Sequence, residues 1–245
     1  VTTAYYRAKY LYSRAVPLDE VRNAPENATI GGIDLGRLEQ ARRGFVAIPN
    51  GSEYSLRAKY FVATIHILRA QCFDAIAALS GVLGQTPAND EETGIVELTY
   101  LGLGRLYFET DQLQQAIEAY RAVPQTSPHF DHALYELAWC YIRLGDAVQA
   151  ERSLEVLSVA APDSPLNADG KVLRGDLLAR AGRYEEAEVV FDEVLDTFGP
   201  IRDDLERQRV EHFVGEDHAL ERPLRQRVEP AHAAGEIRLQ PLERS

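Results

Sequence analysis

The chain has 245 residues and a formal net charge of −12, with 38 acidic residues against 26 lysines and arginines. That balance is the opposite of the basic footprint that displaces counterions from a phosphate backbone, so no nucleic-acid partner is expected. Hydrophobic residues make up 45% of the chain, enough for a sizeable core, but no run approaches the roughly 18 apolar residues that would span a membrane.

The sequence opens at Val1 inside a helical pattern that runs from Ala4 to Leu11, and it holds no Met. A segment preceding Val1 is therefore expected. The first helix is placed at Thr3 to Ala15. Residues 16–35 carry prolines, asparagines and the Gly31-Gly32 pair and read as a long loop. Asn27-Ala28-Thr29 within it has the form of a glycosylation sequon, a triplet common by chance. A second helix follows, with Gly36, Leu38, Ala41, Phe45 and Ile48 at helical spacing.

From Leu56 onward one pattern recurs, restarting at Glu97, Asp131 and Ala168, with spacings of 41, 34 and 37. Each copy has a small residue midway along its first helix (Ala63, Gly104, Ala138, Gly175). Each has another small residue early in its second helix (Ala41, Ala75, Ala116, Ala150, Ala187, counting the first unit). A large residue stands one turn later (Phe45, Leu79, Tyr120, Leu154, Phe191). The small residues let the two helices of a hairpin approach, and the large one fills the gap toward the next copy. Gly145-Asp146 and Gly182 mark hairpin turns, where a left-handed backbone is often required. Pro87, Pro128, Pro162 and Pro200 follow the second helices and read as stops. The additional residues of the longer copies are assigned to connections between helices, at Ala88 to Gly94 and around Ser164-Pro165-Leu166. Arg7-Ala8-Lys9-Tyr10 echoes Arg57-Ala58-Lys59-Tyr60, which makes the most N-terminal unit an interrupted copy.

This pattern resembles the tetratricopeptide repeat, over about residues 3 to 200, in four good copies and one interrupted copy. The resemblance implies an all-α fold, an α-solenoid of antiparallel helix hairpins, in a domain over residues 1–205. Residues 206–245 are rich in Arg, Glu and Pro and read as a polar tail or a partial capping helix. Lys59 and Lys171 stand where the family has a large core residue, and Arg174 where it has Leu, so packing is expected to loosen there. Some strings, such as Gly182-Arg183-Tyr184-Glu185-Glu186-Ala187 and Ala161-Pro162-Asp163-Ser164-Pro165, are similar to repeats of bacterial envelope proteins. The outer-membrane assembly lipoproteins and the TolA-binding coordinators are examples. That similarity points to periplasm or envelope ahead of cytoplasm.

No chemistry-bearing motif accompanies the repeats. Gly102-Leu103-Gly104 lacks the third glycine and the strand of a dinucleotide site, and Gly31-Gly32 is followed by no Lys-Ser/Thr pair. No nucleophile elbow or His-Glu-x-x-His is present. Glu185-Glu186 and Asp203-Asp204 read as solvated charge. Cys72 and Cys140 fit no metal or redox spacing and are expected in the core. His212, His218 and His232 are too dispersed for a local chelate. Neither an enzyme nor a cofactor or metal is expected.

In the family, the first helices of the repeats line a concave face that takes a partner protein or peptide. Carried over position by position, that face holds Tyr60 and Thr64, then Leu101, Arg105 and Phe108, then Tyr135, Trp139, Ile142 and Arg143, then Val172, Asp176 and Arg180. Aromatic and arginine side chains of this kind dominate interface energetics. Some family members clamp a peptide carboxylate with a Lys and Asn pair. Here the Asn positions are Thr64, Arg105, Trp139 and Asp176, so that clamp is not expected. The leading expectation is a non-catalytic adaptor. The alternative is a piece of a larger solenoid, acting as spacer or as the regulatory module of an enzyme or sensor.

Overall fold

The computed structural model describes residues 1–16 and 32–232, with side chains through residue 209. Among these residues there are ten α-helices and no strand. They are α1 (Thr2–Ala15), α2 (Leu35–Val46), α3 (Ser55–Leu68), α4 (Cys72–Leu83), α5 (Asp90–Glu109), α6 (Leu113–Arg121), α7 (Phe130–Leu144), α8 (Ala147–Ala160), α9 (Leu166–Arg180) and α10 (Tyr184–His232). The chain divides into two units between Glu188 and Val189. Up to that point consecutive helices pair as hairpins and each hairpin packs on the next, so the architecture is an α-solenoid.

The repeat positions carry the packing. Ala41, Ala75, Ala116 and Ala150 are fully buried, and Ala187 is 3% exposed. Phe45, Leu79, Tyr120 and Leu154 one turn later are buried too. Gly102, one turn before Leu106 on α5, leaves only 3.3 Å between a notional Cβ and Leu79 Cδ1, so adjoining repeats approach closely there. A larger residue at either small position would force two helix axes apart.

The turns that follow α3, α5, α7 and α9 share one geometry. Ala70, Asp111, Gly145 and Gly182 all have left-handed backbone, with φ of 54°, 60°, 77° and 77°. The following amide donates five residues back in every case: Gln71 to His66, Gln112 to Tyr107, Asp146 to Tyr141 and Arg183 to Leu178, at 2.8 to 2.9 Å. This 6→1 bond satisfies a helix-terminal carbonyl while reversing the chain. The four turns recur at 41, 34 and 37 residues, the spacings of the hydrophobic pattern itself.

Two sequence expectations are corrected. The residues inserted at 88–94 are not all a connection, because α5 begins at Asp90. Asn89 Oδ1 accepts from the Glu92 amide at 3.0 Å, and the Glu92 carboxylate accepts from the Ala88 amide at 2.8 Å. Those two bonds start the helix early, and Asp90, Glu91 and Glu92 suit its positive end. Pro200 is not a stop, since α10 runs through it. A proline removes one backbone hydrogen bond, and the helix-favouring Arg, Asp, Leu, Glu and Gln after it let the helix continue. For the same reason α10 crosses residues 205 and 206 without a break.

In the first unit, the ends of the 16–35 connection meet where Asp34 N–H donates to Ala15 O at 3.0 Å. The interior of that connection, including the Asn27 triplet, lies outside the described residues, as do the side chains of His212, His218 and His232. Among the described residues no helix is long and apolar enough to cross a membrane, and no cluster of His, Cys, Asp and Glu could hold a metal.

Candidate functional site

First helices of successive repeats touch: α3 with α5, α5 with α7, and α7 with α9. They form one face of the solenoid, and the residues anticipated on it divide into three groups.

Leu101 is a correction. It is 4% exposed and belongs to the core cluster that includes Ala116, Tyr120, Ala133 and Leu137. A branched aliphatic side chain with no polar tip gains most by full burial in the seam between repeats. Tyr60 and Ile142 are half-buried against the core, and Thr64 uses its hydroxyl on the Tyr60 carbonyl at 3.0 Å. Burial pushes the Tyr60 phenol above its ordinary value.

The arginines are occupied within the solenoid. Arg105 of α5 makes a bidentate pair with Glu136 of α7, its Nε lying 2.9 Å from each carboxylate oxygen and its Nη2 closer still to Oε1. Arg143 of α7 reaches back to the turn after α5. Its Nη1 donates to Phe108 O at 3.1 Å and its Nη2 to Asp111 at 2.9 Å, while the guanidinium carbon sits 4.6 Å from the Phe108 ring centre. Arg180 pairs with Asp176 at 2.7 Å on α9, beside an exposed Val172. These guanidiniums tie adjacent repeats or shape the surface, and none offers an unpaired charge.

The aromatics remain available. Trp139 is 40% exposed, and its ring meets Tyr135 edge-on at 6.4 Å and 79°. Arg105, Phe108 and Trp139 line a cleft of about 220 Å3 with three residues that the sequence did not assign to this face, Glu109, Tyr120 and Glu136. Tyr120 forms the floor. Burial pushes its phenol far up, and the Glu136 charge adds to that. A signal for Glu136 did exist. It lies 31 residues beyond Arg105, one repeat less about one helical turn, where a side chain on the next first helix comes opposite.

With this geometry in place, the chain can be compared with known proteins. A tetratricopeptide-repeat family model matches residues 107–168, and a second one matches residues 149–200. The chain carries tetratricopeptide repeats. No curated protein matches it. Among solved structures, MamA superposes with a TM-score of 0.56 at 18% identity, over 69% of this chain and 92% of MamA. Nearly identical TPR-like repeats named for a kinesin light chain of Podosopora anserina give 0.56 at 16% identity, over 82% and 96%. YrrB, described as a TPR protein with an unusual peptide-binding site, gives 0.51 at 15% identity, over 66% and 78%. At these identities the likeness is one of fold.

Among the twelve first-helix positions of this tetratricopeptide-repeat face, the structure brings Arg105, Phe108, Tyr135, Trp139 and Arg143 into one neighbourhood on α5 and α7.

Proposed function

We propose that this protein is a non-catalytic interaction scaffold whose first-helix face binds a segment of a partner polypeptide at the α5–α7 cleft. The observation that carries the reading is Trp139, a large apolar side chain left 40% exposed beside Tyr135 at the mouth of a cleft. A rigid aromatic pair of this kind anchors interfaces at low entropic cost. Because Arg105 and Arg143 are already paired, recognition rests on burying an apolar partner residue against Trp139 and Phe108. A charge clamp is not part of it. The net charge of −12 favours a partner segment with basic flanks. The peptide-binding site described for YrrB supports the reading by fold analogy.

Trp139 is the only tryptophan in the chain, so its emission reports on this site alone. Peptides selected from a random phage-displayed library on the intact chain should carry a recurrent aromatic or aliphatic anchor. Adding such a peptide should shift Trp139 emission to shorter wavelength as water is excluded. Selected peptides that bind tightly but leave the Trp139 spectrum unchanged would place the site elsewhere.

A further inference from the structure

Two cavities meet at Lys59, and neither shares a lining residue with the α5–α7 cleft. The smaller, about 290 Å3, is walled by Phe45 of α2, Ile48 just after it, Val62 of α3 and Ala78 of α4. Its origin is legible in the repeat. Lys59 occupies a position where the pattern has a large core residue, and a Cβ added at the facing Gly81 would meet only Lys59 Cδ, at 4.0 Å.

Three polar side chains line this otherwise apolar cavity, Lys59, Ser55 and Asn50. Ser55 is 3% exposed and its buried Oγ has no hydrogen-bond partner. Lys59 Nζ makes one long contact, 3.4 Å to Gly81 O. No carboxylate lines the cavity. A buried hydroxyl without a partner is a costly arrangement, and the half-buried Lys59 ammonium meets no carboxylate within this cavity.

The adjoining cavity, about 630 Å3 and mostly polar, shares Lys59 and Asn50 with the first. Arg57 Nε and Gln85 Nε2 lie at it, buried and also without a hydrogen-bond partner. Among the described residues five buried side-chain polar atoms lack a hydrogen-bond partner, and three of them, on Ser55, Arg57 and Gln85, belong to residues that line these two cavities. Glu53 and Glu92 line this second cavity as well, and Glu91 and Glu92 lie 3.0 and 3.8 Å from Arg57. Those acids oppose an anion deeper in the polar cavity.

We propose that the smaller cavity binds a carboxylate carried on a short apolar stem. The stem fills the space between α2, α3 and α4, and the carboxylate accepts from the Lys59 ammonium and the Ser55 hydroxyl. Glu53 and Glu92 confine the head group to the Lys59 side. At about 290 Å3 the cavity sits at the small end of ligand sites, which suits a linear or lightly branched chain rather than a ring-bearing cofactor. The same chemistry has two sources, a free medium-chain acid or the apolar C-terminal residue of a polypeptide.

The test is calorimetric titration of the full chain with sodium octanoate, with octan-1-ol as the neutral control. Octanoate should bind more tightly than octanol. Lys59→Met, which keeps the stem and removes the charge, should weaken octanoate by about tenfold or more and leave octanol unchanged. Gly81→Leu should fill the cavity and abolish both, with the melting temperature held or raised, which separates loss of the site from loss of fold. Displacement of octanoate by acetyl-Gly-Gly-Leu, but not by its C-terminal amide, would identify a polypeptide terminus as a source. Failure of both peptides to displace it would assign the site to free acids. Absence of octanoate binding, equal affinity for octanol, or full octanoate affinity in Lys59→Met would each overturn the proposal.

Discussion

Gly104 of α5 lies flat against the ring of Tyr120 of α6, so close that a Cβ on Gly104 would stand 2.6 Å from both Cδ1 and Cζ of the ring. These two residues are the small and large partners of one repeat. Together they set the separation of the hairpin beneath the candidate cleft. Tyr120 is 3% exposed and cannot swing into solvent without leaving the core. Gly104→Ala should therefore destabilise the chain by about 1–3 kcal/mol despite its better helix propensity. Adding Tyr120→Leu should recover part of that loss, as a double-mutant cycle in urea would measure. Additive losses would show that the two residues do not share the space.

The four hairpin turns differ in how well their sequence suits them. Gly145 and Gly182 adopt φ near 77° without strain, and Asp111 is a tolerated occupant. Ala70 holds φ of 54° with a Cβ in place. Ala70→Gly should raise stability by about 1 kcal/mol, read as a higher denaturation midpoint. Gly145→Ala should lower it by a similar amount. If Ala70→Gly destabilises the chain, the left-handed turn after α3 is wrong.

The two cysteines should be distinguishable by chemistry. Cys140 is buried, and burial, reinforced by the charge of Glu136, pushes its thiol up to about 11. The thiolate is the reactive form, so at about pH 8 only about one Cys140 in a thousand is reactive, and access is blocked as well. Cys72 is partly exposed on the first turn of α4. Iodoacetamide should label Cys72 in the native chain and Cys140 only after unfolding, as peptide mass analysis would show. Equal labelling of the native protein would contradict the packing of α7.

Glu39 joins α2 to α3. It accepts from Arg42 at 2.8 and 2.9 Å, from Arg43 at 3.1 Å and from Arg69 of the next helix at 2.8 Å. Hydrogen bonding from Arg42 first, and from Arg43 behind it, holds its carboxyl at about 2. A depressed folded-state value means the stabilisation is fully present above the unfolded value of about 4.3 and is lost as pH falls toward about 2. Glu39→Gln should cost about 1 kcal/mol at neutral pH, and its difference from the parent should vanish between about pH 4 and 2. A difference that persists at about pH 2 would mean the carboxylate is not its cause.

Much of this fold is written in residue spacing. The alanines at 41, 75, 116, 150 and 187, with a large residue four places later, locate every hairpin because close helix approach admits nothing bigger. The turn at Ala70 was not legible, since alanine carries no turn signature and its conformation is imposed by the packed helices on either side. The start of α5 was hidden for the opposite reason: Asn89 and Glu92 look like loop polarity until their side chains cap the helix. At the site, helical spacing alone put Tyr135 and Trp139 together. It could not tell that Leu101 turns into the seam between repeats, or that Arg105 and Arg143 find carboxylates one repeat away. Those outcomes depend on which neighbour a side chain meets across the stack.

The most direct test of the central proposal is the affinity of a library-selected peptide for the parent chain and for Trp139→Ala, with melting temperature measured on both. If the α5–α7 cleft is the binding site, the substitution should weaken binding by about 2 kcal/mol, roughly thirtyfold. Stability should hardly change, because the side chain is 40% exposed. A Trp139→Ala chain that melts several degrees lower yet keeps full affinity would make Trp139 a packing residue and place the partner on another face.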